Sequence, residues 1–211
     1  MNNELIEEIE LELNLLIDMG FYNQEETFEI IEDMFYDEEI EEQTIKQLIT
    51  DLFNKKTELE TKWSDETDCD KLDKCFEQIS DLGILTIHNA GDSIKDGVLD
   101  SIQVFNHLKD NDMLAYGFCF YHEGDIEEAI ENKQLQLSFG DFEDDNSKYI
   151  KTGEIITGVL EDNGFHVEWN YSINERITIK PFQWQKRIDN KGFGMERSYD
   201  SFKEKIEKLL K

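Results

Sequence analysis

The chain is poor in the residues that punctuate, staple or target a protein. It has one proline, Pro181, and three cysteines, Cys69, Cys75 and Cys119. An odd number of thiols without a CxxC spacing excludes a disulfide framework and fits reduced cysteines in a cytoplasmic setting. No run approaches the ~18 apolar residues of a membrane helix, and the start, Met1-Asn2-Asn3-Glu4, lacks the basic region and apolar core of a secretory signal. Cations are scarce. There are 21 Lys and Arg against 50 Asp and Glu, for a net charge of -29, and none precedes Lys46.

That imbalance sets expectations about partners. Binding a phosphate backbone requires Lys or Arg to displace counterions, so nucleic acid is not expected as a direct ligand. Anionic membrane surfaces are disfavoured for the same reason. A basic protein is the expected partner, because an acidic field speeds its encounter. Solubility alone is the plain alternative. The charge is uneven: residues 1–45 hold 16 acids, whereas 180–211 net +4.

What is present is enough to fold. A chain of 211 residues can bury about 70% of the surface its unfolded form exposes. The 14 Phe, 7 Tyr and 3 Trp supply large apolar side chains that a disordered chain would lack. Apolar residues at steps of three and four predict helices over 4–19, 24–36 and 40–62, with Glu on the outer faces. Glu7, Glu8, Glu29 and Glu32 are the candidate partner-binding surface. Further helices are expected over 69–82, 98–109 and 149–162, and from Asp125, with Glu128 completing a capping box. Gly20, Gly83 and Gly164 close helices. Strands are expected over 84–88, 113–121 and 135–139. A hairpin with alternating Val167, Trp169, Tyr171 and Ile177, Ile179 turns across 172–175. The fold class is α+β: an N-terminal helical bundle over 1–62, then an α+β domain over 63–190 with a mixed or antiparallel sheet of about five strands and packed helices. A flexible link and short terminal helix, 191–211, follow.

Four patches could carry chemistry. Asp68, Asp70 and Asp73 gather near one helix start, as ligands or bases, or simply as carboxylates that favour the helix dipole. His88 and Asn89 end a strand, where polar residues line sites. The stretch from Asp92 mimics a calcium loop but fails, having Ile94 at position three and Gln103 at position twelve. Gly117 to Asp125 carries Cys119, Tyr121, His122 and Asp125. His122 there is a candidate general base, and Cys119, flanked by Phe, reads as core more readily than as a nucleophile. Finally Trp169, Arg176, Phe182, Gln183, Trp184, Lys186 and Arg187 set aromatics beside cations, to recognise an anion or to pack within the molecule. Metal-ligand spacing, a P-loop and a dinucleotide fingerprint are all missing, so no metal or cofactor is expected.

These motifs together resemble an uncharacterised bacterial domain-of-unknown-function family. The resemblance is carried by Trp63, Thr67-Asp68-Cys69-Asp70-Lys71-Leu72-Asp73, Gly83-Ile84, His88-Asn89-Ala90-Gly91, Ser93 and Asp96-Gly97. It continues through Gly117 to His122, Asp125, Phe139-Gly140, Gly164-Phe165, Val167-Glu168-Trp169, Arg176-Ile177 and Phe182 to Arg187. The family usually has Tyr where Asp92 stands. The resemblance implies a shared fold and a shared polar site among Asp68, Asp70, His88, Asn89, Tyr121 and His122, and no activity. The residues themselves leave three readings: from the cation-free first 45 residues, a non-enzymatic inhibitor, immunity or regulatory protein that binds a basic partner through its acidic surface; an enzyme or small-ligand binder around His88 and His122; or a purely structural role.

Overall fold

A computed structural model describes residues 3–143, 145–189 and 191–209. The fold is α+β, with eight helices and a five-stranded mixed sheet among the described residues. It divides into two compact units: Met1–Thr67 with Gln185–Asn190, and Asp68–Trp184 with Lys191–Lys211.

The first unit is built from α1 (Asn3–Met19), α2 (Gln24–Met34) and α3 (Glu42–Glu60), each packed on the other two. Leu5, Ile9, Leu13, Leu16 and Ile17 form the buried stripe of α1, Phe28 and Ile31 that of α2, and Ile45, Ile49 and Phe53 that of α3. Gly20 closes α1 at φ +77, where a Cβ would lie 2.5 Å from the Lys186 carbonyl oxygen. Asn23 caps α2. Its side chain accepts from the N–H groups of Glu25 and Glu26, and the Glu26 carboxylate accepts from the Asn23 N–H at 2.8 Å. Lys56 is buried and donates at 2.5 Å to the carbonyl of Ile17, so an ammonium serves the C-terminal end of α1.

The second unit runs α4 (Asp68–Asp81), β1 (Ile84–Ile87), α5 (Ile94–Asp110), β2 (Gly117–Phe120), α6 (Glu123–Asn132), β3 (Leu135–Asp141), α7 (Asn146–Asp162), β4 (Val167–Glu168), β5 (Ile177–Ile179) and α8 (Gly194–Leu209). Strand order is β1-β2-β3-β5-β4, parallel between β1 and β2 and antiparallel elsewhere. Ile87 faces Phe120 in register, Phe118 and Phe120 join Leu85, Ile87, Val104 and Leu108 in one core, and α8 adds Phe202 to it. Gly97 of α5 permits that packing, since a Cβ there would lie 2.3 Å from the Phe120 ring.

Several boundaries differ from those expected. α5 begins at Ile94, because Ser93 caps it and accepts from the Asp96 N–H. α6 begins at Glu123. The capping acid is Asp125, which accepts from the His122 N–H at 3.0 Å, so Asp125 is the third helical residue and not the cap. α7 begins at Asn146, behind the Asp145 cap. β2 is limited to four residues; Met113 and Ala115 are buried before it, yet Leu114 and Tyr116 are exposed. Trp169 and Tyr171 lie outside β4, with Tyr171 in left-handed backbone at φ +60.

Candidate functional site

The polar residues of the second unit fall into two groups, positioned by the register of β1 on β2. His88 directly follows β1 and Tyr121 directly follows β2. The side chains meet there, with His88 Nδ1 at 2.8 Å from the Tyr121 hydroxyl. The other imidazole nitrogen, Nε2, lies 3.1 Å from Asp73 Oδ1 on α4. The result is a carboxylate–imidazole–phenol chain. Phe76, one turn along α4 from Asp73, packs at a tilt on the imidazole at 4.6 Å, and Trp184 packs edge-on to the tyrosine at 5.7 Å.

Asp73 is also the anchor of two cations. Lys191 Nζ is 2.6 Å from its Oδ2, and the Arg197 guanidinium pairs with its Oδ1. Burial would raise the Asp73 carboxyl. The hydrogen bond and charge of His88, then Lys191 and Arg197, outweigh burial and hold it well below the usual carboxylate range. Burial pushes the Tyr121 hydroxyl well above its ordinary value; at 2% exposure it is a hydrogen-bonding group and not an ionised one. A cavity of about 20 Å³, lined by Asp73, Phe76, Thr86, His88, Arg197 and Ser198 among others, adjoins the chain. It has room for about one water.

The second group forms around His122 and Asp125. Asp125, 3% exposed, is 2.5 Å from the Arg176 guanidinium, which also donates to the Gln136 side chain at 3.0 Å and its carbonyl at 3.2 Å. His122 Nδ1 is 3.6 Å from Asp125 and has no hydrogen-bond partner among the described residues. Tyr121 and His122 are consecutive in extended backbone, so their side chains diverge. The two groups therefore have different polar contacts.

The remaining expected residues are placed as follows. Asp68 opens α4; its carboxylate accepts from the Gln183 N–H at 3.0 Å and lies 3.2 Å from Lys71. Asp70 is half-buried in the same first turn. Asn89 is buried, at φ +54, with Oδ1 unpartnered among the described residues. Burial holds the Cys119 thiol far above its ordinary value and Cys75 up at about 11, which leaves neither as a thiolate. The aromatic–cation patch splits between the units. In the first, Lys186 sits 5.0 Å over Phe21, and Arg187 sits 5.6 Å over Trp63 while donating to the Ser64 carbonyl. Arg197 was beyond sequence reasoning, because its segment read only as a short terminal helix. Among the described residues, no three His, Cys, Asp or Glu side chains are grouped to hold a metal, and no helix is long and apolar enough to cross a membrane.

The first unit presents a different surface. It holds 22 acidic and 6 basic residues. Glu7 and Glu8 on α1, and Glu29 and Glu32 on α2, are exposed. Glu25, Glu29 and Glu32 rim a groove of about 540 Å³ between α2 and α3, over Phe28 and Ile49. One cation, Lys46, reaches the groove. It pairs with Glu42 at 2.5 Å and lies 4.4 Å over the Phe28 ring.

Residues 2–188 match a family model described as Domain of unknown function (DUF6891). The chain belongs to this family. Asp73, His88, Tyr121, His122, Asp125 and Arg176 lie inside the family segment, as does the acidic groove; Lys191 and Arg197 lie beyond it. No curated protein and no solved structure matches the chain.

Proposed function

We propose that this family member is a non-enzymatic binding protein, of inhibitor, immunity or regulatory type, that meets a basic protein through the acidic surface of its first unit. The observation that carries the reading is the α2–α3 groove. Exposed carboxylates of Glu25, Glu29 and Glu32 rim it, and the one cation lining it among the described residues, Lys46, is already paired with Glu42. Carboxylates at this density repel one another on a helix face, which costs a few tenths of a kcal/mol per pair. A cationic partner removes that repulsion. The surrounding charge sets on-rate and discrimination more than affinity. Direct binding of nucleic acid or of an anionic membrane does not fit this surface.

The test is affinity capture from host extract at low salt with the wild-type chain and with a Glu7→Lys/Glu8→Lys/Glu29→Lys/Glu32→Lys variant. A basic protein retained by the wild type and lost by the variant is expected. Equal capture by both, or capture of acidic proteins only, contradicts the reading.

A second reading, an enzyme or small-ligand binder at His88, draws on the Asp73–His88–Tyr121 chain. It receives less support. The adjoining cavity holds about one water, the phenol is buried, and Asp73 is already engaged by Arg197 and Lys191. A His88→Gln variant that keeps its capture profile favours the first reading. One that loses capture while the four-fold lysine variant retains it contradicts the first.

A further inference from the structure

The polar group around His122 shares one face of the sheet with a serine that sequence reasoning did not connect to it. Side chains alternate along a strand, so Phe120 and His122 point to one face, and Gln136 and Ser138 to one face. Ser138 is the register partner of Phe120, so the two faces are the same. From β5, Arg176 joins them by donating to the Gln136 side chain. Asp125 ties the group together, with Oδ2 at 2.5 Å from the Arg176 guanidinium and 3.6 Å from His122 Nδ1. A polar floor therefore crosses three neighbouring strands, β2, β3 and β5.

Its hydrogen bonding is incomplete. Arg176 uses its two terminal nitrogens on Asp125 and Gln136, and its Nε–H has no acceptor among the described residues. The Ser138 hydroxyl, in a residue only 6% exposed, has no partner there either, and nor has His122 Nδ1. Buried polar atoms are normally paired, because an unpaired one keeps the whole cost of its desolvation. Of the five unpartnered buried side-chain atoms among the described residues, three belong to this one face.

The wall beside the floor is apolar. Gly97, Ser101, Val104 and Leu108 form the buried stripe of α5, and on one flank of it His107 meets Tyr199 of α8. The opposite flank carries Val98, Ile102 and Phe105 at steps of four and three. Phe105 stacks at 4.1 Å on Phe142, which directly follows β3, so this flank overlooks β3. Ile102 is 42% exposed, and Val98 and Phe105 are half-buried.

We propose that this face is a binding site for a small uncharged molecule with an aromatic body and a carboxamide group. Asp125 and Arg176 already balance one another, so a charged ligand would enter a partly buried setting without a counter-ion. The Nε–H of Arg176 can only donate, whereas a hydroxyl and a neutral imidazole nitrogen can act either way. A carboxamide brings an acceptor for Arg176 and Ser138 together with a donor for His122. A flat ring suits the flank formed by Ile102 and Phe105. The site is separate from the acidic groove of the first unit and from the Asp73–His88–Tyr121 chain, and it stands whatever partner the first unit meets.

The test titrates the isotope-labelled full chain with benzamide and, separately, with benzoate, following backbone amides by NMR. Saturable shifts with benzamide are expected, centred on residues 98–105 and 136–138, with benzoate at least about fivefold weaker. Ser138→Ala should weaken benzamide about fivefold without lowering the melting temperature, because a buried hydroxyl with no partner adds nothing to stability. Should Ser138→Ala not fold, Arg176→Lys, which keeps a cation for Asp125, must weaken benzamide by the same factor. No saturable shift, benzoate bound as tightly as benzamide, or an affinity that the serine variant leaves unchanged overturns the proposal. Shifts centred on Asp73 and His88 overturn it by assigning the ligand to the other polar group.

Discussion

Replacing Asp73 by Asn tests the most connected polar group of the second unit. The change keeps the shape and removes one charge. His88, Arg197 and Lys191 all lose an anionic acceptor. Lys191 is over half exposed and returns to water at little cost, whereas His88 and Arg197 are largely buried and do not. A hydrogen bond to a charged group contributes about 1.5–3 kcal/mol, and breaking a buried pair costs about 3–5 kcal/mol. The amide oxygen of Asn keeps one contact and the site is partly solvated, so a loss of about 2 kcal/mol is expected at pH 7. At about 2–4 °C per kcal/mol for a chain of this size, the melting temperature falls by about 6 °C. The pH dependence is the sharper readout. The folded carboxyl is held below its unfolded value of about 3.9. Its stabilisation is therefore fully present above that pH and is lost as pH falls from there toward the folded value. Asn does not titrate, so the gap between wild type and variant should narrow as pH falls below about 4. Urea melts followed by circular dichroism across that range measure it. A gap under about 0.5 kcal/mol at pH 7, or one that does not narrow in acid, refutes the role given to Asp73.

Three further outcomes are expected. Gly20→Ala forces a side chain into left-handed backbone and against the Lys186 carbonyl, and should cost at least about 1–2 kcal/mol in a urea melt; a neutral result contradicts that placement. Lys56→Met leaves the Ile17 carbonyl without its ammonium donor and should lower stability by about 1–3 kcal/mol, seen as a lower urea midpoint; no shift refutes its part at the end of α1. In native protein at pH 8, a thiol reagent should find no more than one fast cysteine, since Cys75 and Cys119 are buried and held protonated, and three after unfolding; two or more fast thiols before unfolding would contradict their burial.

Much of the fold was legible because its signals are local. The period of Leu5, Ile9, Leu13 and Leu16 reports a helix whatever packs on it, and Gly20, Gly83 and Gly164 mark helix ends by their backbone freedom. The order of helices and strands after residue 68 followed from the same patterns. Boundaries failed where a cap departed from the commonest chemistry. Asp125 followed by Glu128 has the look of a cap and its box, yet His122 caps the helix, with Asp125 reaching back to its N–H. The Asp92–Gly97 stretch looked like a loop because its glycine and acids hide a serine cap. Site residues were legible by type and not by pairing. His88 and Tyr121 stood out, but their contact depends on the register of β1 on β2, which spans 33 residues. Asp73 stood in a row of aspartates, and nothing local marks it as the one facing His88. Arg197 reaches Asp73 across 124 residues, a separation that periodicity does not report.

The central claim, an acidic surface of the first unit that meets a basic partner, is tested most directly by the salt dependence of association. The captured partner is immobilised, and the on-rate of the full chain is measured by surface plasmon resonance from low to physiological ionic strength. Electrostatic steering predicts an on-rate that falls at least about tenfold over that range, with a markedly flatter dependence for the four-fold Glu→Lys variant. An on-rate indifferent to salt, or the same steep dependence in wild type and variant, would contradict the account.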